Sequence, residues 1–306
     1  MLIPQFEQLL NLRGVKMRGG AVSRSAVASL TSGNYHSPFR GQGLEFDTVR
    51  EYVPGDDIRN LDWKVTARRG VPYLKVFKED REKSAIICVD MNERMRFGTR
   101  NTFKSVQAAT VAALLGWREL ALSHRVGACL FGDVAEGVQY FTPKRTRSSQ
   151  WAMLRELSQP PEESHRVSLE TILERLVRAA HTGSLLYLIS DFLDLEGELS
   201  TLLAHLSRTR DLILIAVNDP ADMRIPPVGD LTLAKGLGQK LLVNTASVAG
   251  REAYAAMWRE NRALLARLTR NSHSSLIELT TESEIIRELP LALKRVACRS
   301  RYGRAT

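Results

Sequence analysis

Two short apolar runs, each ending on a carboxylate, constrain the fold of this chain more than any other feature. Ala85-Ile86-Ile87-Cys88-Val89 leads into Asp90, and Leu185-Leu186-Tyr187-Leu188-Ile189 leads into Ser190-Asp191. Runs this short and continuously apolar read as strands buried on both faces, as in a parallel sheet covered by helices on either side. Around them the pattern alternates. A helix is predicted over 102–123, where Val106, Ala109, Thr110, Ala113, Leu114, Trp117 and Leu120 recur at spacings of three and four. Strands follow at 126–131 and 134–141, helices at 147–157 and 168–180, a helix at 198–208 and a strand at 212–217. A β-rich excursion near 226–246, a long helix over 249–270, a strand at 275–279 and a helix over 284–297 complete the series. The expected class is α/β, a doubly wound, mostly parallel sheet with helices on both faces. Ligands of such sheets sit beyond the carboxyl ends of the strands, where Asp90 and Asp191 fall.

The first 83 residues read differently. One short helix is expected within the first 20, with Phe6, Leu9, Leu10 and Leu12 near one side, and 22–40 is rich in Ser, Gly and Asn and reads as loop. Strands are expected at 45–53 and 73–77, separated by a turn and a short helix. The segment 41–68, GQGLEFDTVREYVPGDDIRNLDWKVTAR, packs acids, bases and aromatics around one turn. Pro54-Gly55 suits the centre of a type II turn, and Asp56 or Asp57 can cap the helix that follows. There Ile58, Leu61 and Val65 fall near one face, while Arg59, Asp62 and Arg68 can form ion pairs. Arg50 and Tyr52 share a strand face before the turn. Such a segment serves either as a clamp between two parts of the chain or as a docking surface. The docking reading uses Arg50, Tyr52, Asp56, Asp57, Arg59, Asp62, Trp63 and Arg68. The expected division is a β-containing amino-terminal extension over 1–83 and an α/β domain over 84–306 that ends in a basic tail.

Composition narrows the function classes. The amino terminus has no secretory pattern, and no apolar run approaches the ~18 residues of a membrane span. Cys88 and Cys129 lie inside apolar runs and read as core thiols, so a reducing, cytoplasmic setting is expected. The net charge is +9, of which residues 287–306 carry +5. A basic tail of this kind is a solvated end or a weak electrostatic contact. Nucleic-acid or anionic-surface binding through it is therefore the alternative function, not the leading one.

The string at 41–68, with YLKVFKEDRE, ICVDMNERMRFG, ISDFLD and VNDPADMRIPPVGDLTL after it, resembles the family labelled domain of unknown function fifty-eight. These are von Willebrand factor A-like proteins, typically encoded beside MoxR-type AAA+ ATPases. The resemblance covers nearly the whole chain. It implies an A-type α/β domain with an amino-terminal extension. It also implies a non-catalytic, chaperone-like adaptor that works with a MoxR-type ATPase in protein maturation or complex assembly.

A-type domains often carry a metal-ion-dependent adhesion site on an Asp-x-Ser-x-Ser run plus a later hydroxyl and a later Asp. A hard ion such as Mg²⁺ or Mn²⁺ takes oxygen ligands there and keeps a position open for a partner's carboxylate. On that pattern the metal residues here are Asp90, Asn92, Ser168 and Asp191, but Asn92 and Arg94 stand where two serines are wanted. Asn92 still offers a carbonyl oxygen; a guanidinium has only donors. At about 4 Å it repels a cation by several kcal/mol even at an effective dielectric near 20. Two expectations follow: a weakened Mg²⁺ or Mn²⁺ site with Arg94 turned away, or Arg94 folded in against Asp90 or Asp191 as a built-in cation.

Enzyme motifs are absent from the sequence. There is no GxxxxGK[ST] loop, no HExxH, no CxxC and no GxSxG, and GQGLEF lacks the third glycine of a dinucleotide fingerprint. The remaining catalytic reading is a metal-dependent hydrolase that uses Asp90 and Asp191 as an acid–base pair.

Overall fold

The computed structural model describes residues 3–15, 44–54, 56–79, 83–160, 165, 167–195, 197–235 and 239–302. The loop expected at 22–40 and the last four residues of the basic tail lie outside them. The chain forms two compact units, one of residues 1–30 with 83–306 and one of 31–82. The extension expected over 1–83 is thus divided. Its first helix, α1 (Phe6–Asn11), belongs to the larger unit, with Leu9 buried in that unit's core. The Leu9 carbonyl accepts a hydrogen bond from Trp117 Nε1 at 3.2 Å, which satisfies the indole donor inside an apolar contact.

The smaller unit is an antiparallel pair, β1 (Leu44–Glu51) and β2 (Tyr73–Glu79), joined by a 3-10 turn at Ile58–Asn60 and by α2 (Trp63–Arg69). Both of those short elements start on an aspartate. Asp57 accepts from Arg59 N at 3.0 Å, and Asp62 accepts from Lys64 N and Val65 N at 3.1 Å each. Gly70 closes α2 in the left-handed region, at φ +74°.

The larger unit is the doubly wound, mostly parallel α/β architecture expected from the sequence. Its sheet uses β3 (Ser84–Met91), β4 (Arg125–Gly132), β5 (Val138–Lys144), β6 (Leu185–Ser190), β7 (Asp211–Asn218) and β10 (Ser275–Thr280). The order is β10-β7-β6-β3-β4-β5, with every pairing parallel except that of β5 at the edge. Side chains alternate between two cores. On β3, Ala85, Ile87 and Val89 face one apolar cluster, and Ile86 and Cys88 face the other. The first cluster is closed by α1, α3 (Lys104–Ala121), α4 (Ser148–Leu157) and α9 (Ile285–Tyr302). The second is closed by α5 (Leu169–Ala179), α6 (Leu199–Thr209) and α8 (Val248–Asn271). Cys88 and Cys129 face each other in register on β3 and β4 as free, buried thiols.

The 226–246 excursion is β-rich as expected, an antiparallel hairpin of β8 (Asp230–Lys235) and β9 (Gln239–Asn244). Two elements depart from the sequence pattern. The strand expected from 134 begins at Val138, because Ala135–Gly137 is a 3-10 turn in which Glu136 (φ +56°) is left-handed. The helix α3 is not one-sided. Ala108, Val111, Ala112 and Leu115 are as buried as Ala109, Ala113 and Leu114, because α3 is enclosed by the sheet and by three helices.

Gly132 ends β4 at φ +108°, and a Cβ there would lie 2.4 Å from the Asn92 backbone nitrogen. Gly132→Ala is expected to destabilise the fold by about 2–4 kcal/mol, since strain and a backbone clash add. Urea unfolding checks this; a loss under ~1 kcal/mol would mean that the strand end moves aside freely.

Candidate functional site: a carboxylate cluster at the sheet edge

In the sheet order, β3 has β4 on one side and β6 on the other, and the chain winds outward in both directions from that junction. This switch point leaves a crevice beyond the carboxyl ends of β3 and β6. Asp90 and Asp191 stand there, both with 0% exposure. A buried carboxylate must have its lone pairs filled.

For Asp90 they are filled from within. Oδ1 accepts from Asn92 N at 3.0 Å and from Asn92 Nδ2 at 2.7 Å. Oδ2 accepts from Ser190 Oγ at 2.6 Å and from Arg94 Nη2 at 3.3 Å. Asp191 Oδ1 accepts from Leu193 N at 3.2 Å and faces Arg94 Nε at 3.2 Å, while Oδ2 accepts from Lys104 Nζ at 2.9 Å. Arg94 therefore lies between the two strand-end aspartates. Its third nitrogen reaches Asp194 Oδ2 at 3.3 Å. Lys104, 1% exposed at the start of α3, also bridges to Asp222 at 3.2 Å.

The titrating groups respond accordingly. Burial pushes the Asp90 carboxyl above its usual range, and Arg94 only partly opposes that. At Asp191 burial also acts upward most strongly, yet Lys104 and Arg94 together hold the group below its usual range. Lys104 itself is raised, because Asp191 and Asp222 overcome the burial that would lower it. Asp222 is raised by burial.

The surrounding loops are fixed by residues the sequence reading did not single out. The short helix α7 (Pro220–Met223) carries a reciprocal capping box between Asp219 and Asp222. Asp219 also accepts from Thr99 Oγ1 at 2.6 Å and Thr281 Oγ1 at 2.7 Å. Phe192 adopts φ +51°, a costly region for a bulky side chain. Arg262 of α8 donates to the Asp191 and Phe192 carbonyls at 2.6 and 3.2 Å and so holds that turn.

The sequence carried one signal for Lys104. A cation in the first turn of a helix opposes the helix dipole, so it belongs there only beside a carboxylate. Ser190, the hydroxyl nearest Asp90, stands next to Asp191 in the sequence; its contact depends on the register that sets β6 against β3.

The structure does not bring the four metal candidates together. Ser168 is exposed and caps α5, accepting from Thr171 N at 3.2 Å. Only Val167 beside it reaches the site, and it does so through Asn92. Asn92 Nδ2 donates to the Val167 carbonyl and Asn92 Oδ1 accepts from Val167 N, each at 3.2 Å. The carbonyl expected to be offered to an ion is thus spent on a loop. With two cations already against the carboxylates, this donor set does not fit a resident Mg²⁺ or Mn²⁺. Among the described residues no group of three or more His, Cys, Asp or Glu is arranged to hold an ion.

The docking residues of the smaller unit also separate. Arg50 forks onto Asp56 at 2.8 and 2.6 Å, and Tyr52 N donates to the Pro72 carbonyl at 2.9 Å. Asp57 and Asp62 are helix caps, so the ion pairs expected among Arg59, Asp62 and Arg68 do not form among the described residues. Trp63, which packing economy would bury, is 71% exposed.

Comparison with known proteins finds sequence relatives and solved structures. Uncharacterized protein Rv1480 of Mycobacterium tuberculosis is 30% identical over 252 residues, covering 81% of this chain and 78% of that protein. Uncharacterized protein Mb1516 of Mycobacterium bovis matches to the same extent. Among solved structures, the conserved hypothetical protein BatB from Bacteroides thetaiotaomicron aligns at 11% identity and a TM-score of 0.45, covering 71% of this chain and 99% of that one. A von Willebrand factor type A structure from Catenulispora acidiphila aligns at 9% identity and a TM-score of 0.37, covering 72% and 42%. Residues 48–264 match the family described as protein of unknown function DUF58, and the chain belongs to that family.

Proposed function

We propose that this protein is a non-catalytic interaction partner of a MoxR-type AAA+ ATPase. In this reading it acts in the cytoplasm in the maturation or assembly of other proteins and engages its partner through the carboxyl edge of the sheet. One observation carries the reading: the strand-end carboxylates are already neutralised by Arg94 and Lys104. An edge of this kind is a preformed surface, not a reaction centre. Arg94 and Asp194 remain partly accessible, at 27% and 39% of their side chains, and offer a partner one donor face and one acceptor face. The hydrolase reading fares worse, because Asp90 and Asp191 are saturated and have no exposed surface for a substrate. No helix among the described residues is long and apolar enough to cross a membrane.

The test is affinity capture from nuclease-treated lysate with and without ATP, repeated with Arg94→Glu. A stoichiometric AAA+ ATPase whose recovery depends on nucleotide and is lost with Arg94→Glu is the expected result. Recovery of no ATPase, or recovery indifferent to the edge variant, overturns the reading.

A further inference from the structure

Between β1 and β2 the described acids are engaged in hydrogen bonds: Asp56 holds Arg50 and Val53 N, Asp57 and Asp62 cap backbone amides, and Glu51 accepts from Tyr73 OH. Three of the bases are not. Arg59, Lys64 and Arg68 are exposed and have no acidic partner among the described residues. Lys64 and Arg68 are one helical turn apart on α2, a like-charge spacing that disfavours the helix by itself. The same stretch between β1 and β2 exposes Trp63 (71%), Ile58 (60%) and Val71 (45%). Large apolar side chains exposed in one short segment together with unpaired cations suit a binding surface.

We propose that this face of the smaller unit, centred on Trp63, Lys64 and Arg68, docks an acidic segment of a partner protein that also presents apolar side chains. The charge comes from the three free cations. The chain's own residues 16–43 cannot supply the complement, since they contain Lys16, Arg18, Arg24 and Arg40 and no Asp or Glu. Nucleic acid would match the cations and stack on Trp63, but the aliphatic Ile58 and Val71 have no counterpart in a phosphate backbone. An acidic, leucine-bearing peptide satisfies both halves of the surface. Trp and Arg are also among the residues that dominate protein–protein contact energies.

The probe is a labelled synthetic peptide of alternating Glu-Leu and Asp-Leu pairs, followed by fluorescence anisotropy on the full chain. A Lys-for-acid version of the peptide and a thymidine oligonucleotide serve as comparisons. The acidic peptide is expected to bind, to weaken with salt, and to lose about tenfold or more in affinity with Trp63→Ala and with Lys64→Glu/Arg68→Glu. All three positions are exposed, so the variants should unfold at the parent's temperature. Arg287→Ala, at an exposed position of α9 outside both surfaces, should leave peptide binding unchanged. The inference falls if the acidic peptide does not bind, if the face variants bind it as the parent does, or if only the oligonucleotide responds to those variants.

Discussion

Lys104→Met is expected to cost about 3–5 kcal/mol, the loss typical of removing one partner from a buried charge pair. Methionine matches the length and apolar stem of lysine, so packing against Phe97, 5.6 Å from the ammonium, is largely kept. What disappears is the charge facing Asp191 at 2.9 Å and Asp222 at 3.2 Å. Three carboxylates, Asp90, Asp191 and Asp222, then remain buried, with Arg94 against the first two alone. The pH dependence has a definite sign. In the parent, Asp191 is held below its usual range, so its contribution is present above ~3.9 and lost only as pH falls through the lower, folded value. Lys104 is raised, so its contribution is complete below ~10.4 and lost only above that. Between about pH 5 and 10 both are intact. Without the ammonium, burial lifts the Asp191 and Asp222 carboxyls, and each then destabilises the fold progressively as pH rises. The deficit should therefore be larger at pH 8 than at pH 5. Urea unfolding of the larger unit at the two pH values measures it, and Lys104→Met/Asp191→Asn should recover part of the loss. A single variant within ~1 kcal/mol of the parent at pH 8 would mean that the ammonium does not stabilise the cluster.

The sequence exposes some of this architecture and hides the rest for identifiable reasons. The strands at Asp90 and Asp191 are legible because a strand buried on both faces must be continuously apolar and then stop. The adjacency of β3 and β6 is not legible in the same way, since β4 and β5 lie between them in the chain and only the sheet order brings them together. Lys104 at a helix start hints at a carboxylate nearby, but which one is not legible, since its partners lie 87 and 118 positions away and only the packing of α3 against the strand ends brings them together. Asn92 misleads for a related reason. Its carbonyl suits an ion, but the loop before α5 reaches it first. In the smaller unit, Asp62 has to choose between an arginine and two amides that nothing else satisfies. The amides win, because orphan donors at a helix start are costly to leave unmade and exposed ion pairs are worth little.

The same cluster predicts that the unmodified chain takes up neither Mg²⁺ nor Mn²⁺ at micromolar concentration in calorimetry, and that Arg94→Ser admits them. An ion site built on an Asp-x-Ser-x-Ser run needs oxygen where Arg94 stands, and here a guanidinium occupies the space between Asp90 and Asp191, 3.3 and 3.2 Å from their oxygens. Its charge alone would repel a nearby ion by ~4 kcal/mol per unit charge at 4 Å and an effective dielectric of 20. Removing it leaves Asp90 and Asp191 buried, with Lys104 against Asp191 alone and a hydroxyl in place of the donor. An incoming divalent ion then relieves repulsion instead of adding to it. A gain of at least ~100-fold in Mn²⁺ affinity, about 2.7 kcal/mol, is a conservative expectation, since Lys104 still competes for Asp191. The variant loses stability in the absence of metal and should recover it on Mn²⁺ addition, because an ion that binds only the folded chain stabilises it by mass action. Micromolar Mg²⁺ binding by the parent, abolished by Asp90→Ala, would instead show Arg94 turning out of the crevice. The edge would then read a partner's carboxylate through metal, and the internal-cation account would be wrong.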